Sequence, residues 1–521
     1  METPSVRGFR PRLATSIQFA DRHARAFVPI WAMVYLAAIL PDARRPLWYD
    51  ELITYYISKA PSLHRLFEMI NHVDLNPPLS YLAVRPCLAA LGDSVVIVRL
   101  TSIVSFFGAA VLLFEYFRRR VGGAFGLLGM GIFFQCGFLY YSVEARPYAM
   151  MLLFYTIGVL SWPLATNKQS WSWAHTGIFV SIAGLTLTHC FGPLYGASIG
   201  CGELVRSIIA RRFDKRVWSA ILLPLPLMLT YALMAKPTDL LFPVAFQPNS
   251  TTVSALYVKV LFGVAPAAAI LGLLTFLPGR RLQSLWSVMP IHEVAMAVCC
   301  FLTPLVIILW AMHSHVAFWP RYSIVMIIAV TLLAVSAFAS LSGGRTGIAL
   351  LGSALLLVMF SFQHFPHSTP IAISTDYRNV CPNLPFVAAS GLTFVEMDHR
   401  EPADMVKRLY YLTDREAAVK FAHATIFEGF STIKQWFPIH ANVEPYGRFV
   451  QEHPCFMVMS TPDYPEDWLM KKLANDGAQV RYFGAVLTGY KDGMLFEVRM
   501  PSERNQPQDT CGVVHHETGS K

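Results

Sequence analysis

A small set of residues carries the chemistry this chain could do. Two acids, Asp50 and Glu51, stand side by side after Trp48-Tyr49, and a third, Asp74, lies just before Asn76-Pro77-Pro78. Further on come Glu144-Ala145-Arg146-Pro147-Tyr148, then His189, then Trp319-Pro320-Arg321-Tyr322. A carboxylate within hydrogen-bond reach of a hydroxyl acts as a general base. Guanidinium groups grip phosphate oxygens bidentately, and Arg146, Arg321, Arg99 and Arg85 are the candidates. A phosphate ester departs as a stable anion, so one carboxylate suffices, unlike the paired carboxylates of glycoside hydrolysis. Each residue also has a plainer reading. Asp50 and Glu51 suit the first turn of a helix, Asp74 a turn, and Glu144 and Arg146 a local ion pair. Arg321 and Arg99 suit snorkelling or packing, and His189 a buried polar position.

The elements that must hold these residues are membrane helices. The chain has 521 residues, 54% hydrophobic and only 14% charged, and several apolar runs reach bilayer length. The net charge of +9 is therefore loop bias. No basic stripe alternates with aromatics and no glycine-rich phosphate pattern occurs, which excludes a nucleic-acid partner and nucleotide-fold chemistry. Basic clusters at the N-terminus, Arg118-Arg119-Arg120, Lys168, 206–216, Arg280-Arg281 and Arg345 are assigned to the cytoplasm. Spans then fall at 26–41, 95–117, 122–141, 147–165, 173–190, 192–208, 217–235, 254–277, 292–312, 322–341 and 346–365, about 11 transmembrane helices with the C-terminus outside. The first is read as uncleaved, because Asp42-Ala43-Arg44-Arg45-Pro46 offers no small-residue cleavage site. Residues 79–91 are too short for about 30 Å of hydrocarbon and contain Arg85-Pro86, so they are read as an interfacial helix on the outer face. Residues 51–60 and 62–72 are similar candidates.

This topology gathers Asp50, Glu51, Asp74, Glu144, Arg146, His189 and Arg321 at the outer rim and leaves the span midplanes nearly uncharged. That suits a reaction on a lipid-borne substrate. It argues against the alternative of a transporter or lipid flippase, which would place acids mid-membrane. The fold class expected is a polytopic α-helical membrane protein with outer-face interfacial helices plus a small C-terminal α/β domain. Its parts are a basic cytoplasmic N-terminus (1–25), a transmembrane domain (26–365) with an active-site loop (42–94), an extracytoplasmic α/β domain (366–500) and a disordered tail (501–521). Within the α/β domain, 414–427 and 467–475 read as helices, and 455–459, 480–487 and 494–500 as strands. Of the nine cysteines, Cys381 and Cys455 are candidates for a disulfide if the domain lies outside the cytoplasm.

Several of these stretches together resemble a known family. Trp48-Tyr49-Asp50-Glu51, Asp74-Leu75-Asn76-Pro77-Pro78-Leu79-Ser80-Tyr81, Val98-Arg99-Leu100-Thr101-Ser102, Tyr141 to Tyr148, Thr188-His189 and Pro320-Arg321-Tyr322 occur in the order seen in GT-C glycosyltransferases. The chain is similar to the branch holding protein O-mannosyltransferases, aminoarabinose transferases acting on lipid A, and rhizobial lipopolysaccharide galacturonosyl transferases, over about residues 26–345. The resemblance implies a polyprenyl-phosphate-linked sugar donor, an envelope acceptor, the inner (plasma) membrane, and Asp50 as catalytic base with Glu51 beside it. It implies substrate binding by Asp74, Glu144, Arg146, Tyr148, His189, Arg321 and Tyr322, and leaves room for a divalent metal at the first-loop acids. Aminoarabinose transferases usually carry Glu-Lys-Pro-Pro where this chain has Leu75-Asn76-Pro77-Pro78. The missing lysine removes a phosphate contact, so the reaction class is implied and the sugar is not.

Overall fold

The structure, a computed structural model, describes residues 9–74, 76–166, 168, 170–229, 241–276, 283–365, 376–461, 464–487 and 492–501. The chain forms two compact units, one of residues 1–44, 53–236 and 248–370, the other of residues 45–52, 237–247 and 371–521.

The first unit is helical. Lipid offers no hydrogen-bond partner, so an apolar run is stable there only with its backbone bonds closed internally. Among the described residues six helices are long and apolar enough to cross a membrane: Ala24–Ala43, Val95–Arg120, Tyr148–Ala165, Ser250–Leu273, Ile291–Ser314 and Thr346–His364. Shorter apolar helices cover Leu79–Leu91, Gly123–Gln135, Trp173–Thr188 and Met326–Ser342. The chain is a multi-pass membrane protein. In chain order the helices that matter below are α1 (Tyr49–Ser58), α2 (Leu63–Val73), α3 (Leu79–Leu91), α4 (Val95–Arg120), α5 (Gly123–Gln135), α6 (Tyr148–Ala165), α7 (Trp173–Thr188), α8 (Gly192–Ala210) and α9 (Lys215–Leu222). Helix α4 starts where Ser94 Oγ accepts the Ile97 N–H (3.3 Å), and ends on Arg118-Arg119-Arg120, where the helix dipole favours positive charge. It packs between α5 and α6.

Two expected spans are interrupted. The run expected at 122–141 is helical only to Gln135, because Gly137 turns the chain at φ +75°. The run expected at 217–235 is helical through Leu222, turns at 223–226 and is helical again at 227–229. Pro224 and Pro226 remove the backbone donors that would continue it, and residues 230–235 lie outside the described ones. Residues 79–91 do form a helix of 13 residues, and 63–73 one of 11.

The second unit carries a six-stranded sheet in the order β3-β2-β1-β4-β6-β5, with β1 (Phe386–Ala388), β2 (Leu409–Thr413), β3 (Asn442–Pro445), β4 (Cys455–Ser460), β5 (Gln479–Leu487) and β6 (Asp492–Arg499). Strands β3, β2, β1 and β4 run parallel, while β4, β6 and β5 alternate in direction. Helix α10 (Gly391–Arg400) leaves β1 from Ser390, whose hydroxyl accepts the Leu392 N–H (3.2 Å). Val387, Leu412, Phe449, Phe456, Val458, Trp468, Leu473 and Val498 form one buried core, each large apolar side chain adding about 1.5–3 kcal/mol. Leu241 joins this unit through paired bonds with Thr425 (2.9 Å each).

The helix expected at 414–427 spans only Arg415–Ala422. Asp414 caps it by accepting the Ala417 N–H (2.9 Å), and His423 ends it in the left-handed region at φ 50°. The cysteine pairing also differs from the expectation. Cys381 is disulfide-bonded, but Cys455 is a free thiol, 3.9 Å from Glu497. The expected tail after Pro501 lies outside the described residues.

Candidate active site

In the first unit the site begins at the turn between α2 and α3. Asp74 is the C-cap of α2. Its Oδ1 accepts the Asn76 N–H (3.2 Å) and the Asn76 side-chain amide (2.8 Å), closing a tight turn that Pro77 and Pro78 stiffen. Its Oδ2 accepts the Tyr81 hydroxyl (2.6 Å) and Arg146 Nη1 (2.8 Å). Burial alone would raise the Asp74 carboxyl, but the Arg146 charge and the hydrogen bonds from Tyr81, Arg146 and Asn76 hold it below the usual carboxylate range. Asp74 is therefore an ionised acceptor that fixes Arg146.

Arg146 lies on the short loop entering α6, and its carbonyl accepts the Ser102 hydroxyl (3.3 Å). Arg321 opens a 3₁₀ turn, Pro320–Ser323. Its guanidinium lies 5.1 Å from the Trp319 ring centroid and 5.6 Å from that of Tyr148, within cation–π range of both. Its Nη1 is 3.7 Å from Glu144 Oε1, an ion pair longer than a hydrogen bond. Arg146 is thus hydrogen-bonded to its acid, while the Arg321–Glu144 pair is longer.

His189 caps α7. Its Nδ1 accepts the Phe191 N–H (3.1 Å), which leaves the proton of the neutral ring on Nε2. The ring lies 5.7 Å from Tyr148 and 5.3 Å from Tyr322, within electrostatic reach of Arg146, Asp74 and Arg321. The turn that places it needs Gly192, because a Cβ there would overlap the Leu185 carbonyl oxygen. Tyr322 lies 6.4 Å from Tyr148, and its own carbonyl accepts the Tyr195 hydroxyl (2.8 Å). Asp74, Glu144, Arg146, Tyr148, His189, Arg321 and Tyr322 thus form one cluster, in which two arginines balance two acids.

Arg99 and Arg85 serve the helices instead. Arg99 is 2% exposed and donates to the carbonyls of Asp42 (3.3 Å) and Ala43 (2.9 Å). Arg85 donates to those of Ser58 (3.1 Å) and Ala60 (2.5 Å), capping α1. Tyr81 and Trp319 were visible in the motifs, but only the structure assigns them contacts.

The second unit holds the other acids. Asp50 and Glu51 both lie in the first turn of α1, where the helix dipole favours them. Glu51 is 1% exposed, and its Oε2 accepts the Trp48 N–H (3.4 Å). Asp50 is half-buried. The Tyr49 N–H donates to Glu396 Oε1 on α10 (3.0 Å), and the Tyr49 ring packs on Phe427 (5.7 Å) and Phe430 (6.5 Å). Nothing in the spacing of the tail pointed to Glu396.

These residues do not fit a divalent metal. Both Asp74 oxygens are taken by donors, one of them a guanidinium, and neighbours on one helical turn such as Asp50 and Glu51 do not face each other. No group of three or more His, Cys, Asp or Glu able to hold a metal occurs among the described residues.

The chain is a multi-pass membrane protein whose fold is shared by solved structures of the GT-C type. Among them is ArnT from Cupriavidus metallidurans. Its apo structure aligns with a TM-score of 0.55 and its complex with undecaprenyl phosphate with 0.53, each at 13% identity over 92% of this chain and 98% of the other. No protein-family model and no curated protein sequence matches the chain.

Proposed function

We propose that the chain is an inverting membrane glycosyltransferase. It moves a monosaccharide from a polyprenyl-phosphate donor to a hydroxyl on an envelope glycolipid, polysaccharide or protein. The observation that carries this reading is the largely buried cluster of Arg146 and Arg321 in a chain with the fold of a protein solved with undecaprenyl phosphate bound. Arg321, whose planar fork suits a phosphate, holds the donor, and Arg146, oriented by Asp74, adds the second cationic group. The tyrosines Tyr148 and Tyr322 and the neutral ring of His189 line the sugar side, with Glu144 setting Arg321.

Asp50 is the base. It takes the proton from the acceptor hydroxyl, whose oxygen bonds to the anomeric carbon as the bond from that carbon to the phosphate oxygen breaks. Polyprenyl phosphate leaves as an anion, and holding both reactants in line supplies much of the rate gain. The proposal includes about 11 transmembrane helices, with the reaction and the α/β domain on the outer face of the inner membrane. The test is incubation of purified protein with radiolabelled polyprenyl-phosphate sugars and envelope extract. Label passing to an envelope acceptor with wild type, and not with Asp50→Asn, supports the reading. Label that stays on the donor across a panel of sugars, while the lipid changes leaflet, would overturn it in favour of a flippase.

A further inference from the structure

We propose that Glu396, in the C-terminal α/β domain, is a positioning residue for the catalytic turn, holding the start of α1 so that Asp50 is presented in a fixed geometry. The inference rests on the reading of Asp50 as the base.

Three observations carry it. Residues 45–52 belong to one compact unit with residues 237–247 and 371–521. The Tyr49 amide, one residue before Asp50, donates to Glu396 Oε1 at 3.0 Å. The first amides of a helix have no intrahelical acceptor, and Glu396 supplies an acceptor for this one. The Tyr49 side chain is held independently, its ring edge-on to Phe427 and stacked on Phe430. Both rings also contact Tyr411 of β2, so the grip is tied to the sheet.

Glu396 is a costly choice for a purely structural cap. It is 9% exposed, and the groups around its carboxyl are the Tyr49 amide, Arg400 on its own helix, and Glu51 and Asp50 on α1. Burial, followed by the like charges of Glu51 and Asp50, outweighs the Tyr49 amide and Arg400 and pushes the carboxyl up to about 7. The sign of the linkage follows. An acid held above its ordinary value of 4.5 stabilises the Tyr49–Glu396 contact fully below that value, and this contribution is lost as pH rises through about 7. The grip on α1 therefore loosens toward neutral and alkaline pH.

The experiment is amide hydrogen exchange on the full-length protein in lipid nanodiscs, from about pH 5 to pH 8 after correction for intrinsic exchange, reading residues 48–52 in wild type, Glu396→Ala and Glu396→Gln. Glu396→Ala is expected to expose these amides about tenfold or more, the scale of one buried hydrogen bond. Glu396→Gln keeps the acceptor and is expected to restore protection. Wild-type protection is expected to fall with rising pH, and that of Glu396→Gln to stay flat. Unchanged protection in Glu396→Ala would overturn the proposal. If that variant loses protection across the whole sheet, Glu396→Gln decides: a flat response supports the proposal and a wild-type response overturns it. In the transfer assay, Glu396→Ala is expected to lower kcat without changing KM for the donor, and Glu396→Gln to recover kcat. Because exchange is read without turnover, absent transfer with intact pH-dependent protection would count against the assigned reaction and leave the grip standing.

Discussion

Asp50 and Glu51 are neighbours in sequence, yet their surroundings differ. Glu51 is buried with the Trp48 amide on one oxygen, while Asp50 is half-buried. Of the two, Asp50 is the more exposed carboxylate and so the better suited to the proposed base role. Asp50→Asn is expected to lower kcat by about 10²–10⁴-fold, the range of a general base, with the melting temperature unchanged; a drop of less than a few-fold would move the base role elsewhere. The arginines should respond differently to substitution. Arg146→Ala leaves Asp74 buried and uncompensated, which costs about 3–5 kcal/mol of stability, so its first readout is thermal unfolding. Arg321→Lys keeps the charge but loses the planar fork between Trp319 and Tyr148. It should weaken donor binding by roughly tenfold, the scale of one charge-assisted hydrogen bond, with little change in melting temperature. The turn at Asp74 was legible, because Asp before Asn-Pro-Pro is turn chemistry. The partner of Arg146 was not, because the link to Asp74 spans 72 residues and no local pattern encodes it.

At the scale of elements, apolar length told where helices lie and failed where one residue breaks them. Gly137 ends α5, and Pro224 and Pro226 interrupt the run after α9, inside runs whose composition stays apolar. The tail shows the same limit. Strand β4, with five fully buried residues after Cys455, stands out in sequence. Strand β1 is three residues long and β3 is Asn-Val-Glu-Pro at the sheet edge, too short or too polar to carry a period. The α7–α8 corner offers a test of how an element sets a site. Gly192→Ala forces a Cβ onto the Leu185 carbonyl, and overpacking of this kind costs about 1–3 kcal/mol. His189 lies in the strained corner, its N–H bonded to the Leu185 carbonyl and its own carbonyl to the Gly192 N–H, so the variant should lose transfer activity beyond its loss of stability, while Gly200→Ala, where a Cβ would meet only Ile221 at 3.9 Å, should not.

At the scale of the whole molecule, the charge bias of the loops makes a prediction that needs no substrate. Alkaline phosphatase fused after residue 501 should be active and a green fluorescent protein there dark, and the reverse should hold for fusions after Arg120. The opposite pattern would invert the topology and remove the outer-face reaction. The contact between Tyr49 and Glu396 has a consequence in time. The two residues are 347 positions apart, and chains grow at roughly 5–20 residues per second. The segment bearing Asp50 therefore leaves the ribosome long before its anchor exists, and waits while the intervening helices enter the bilayer. On the proposed reading, a chain cut short between Tyr322 and Glu396 would carry every sugar-side residue and still lack the anchor of its base, so the order of synthesis itself would withhold the reaction from such unfinished copies.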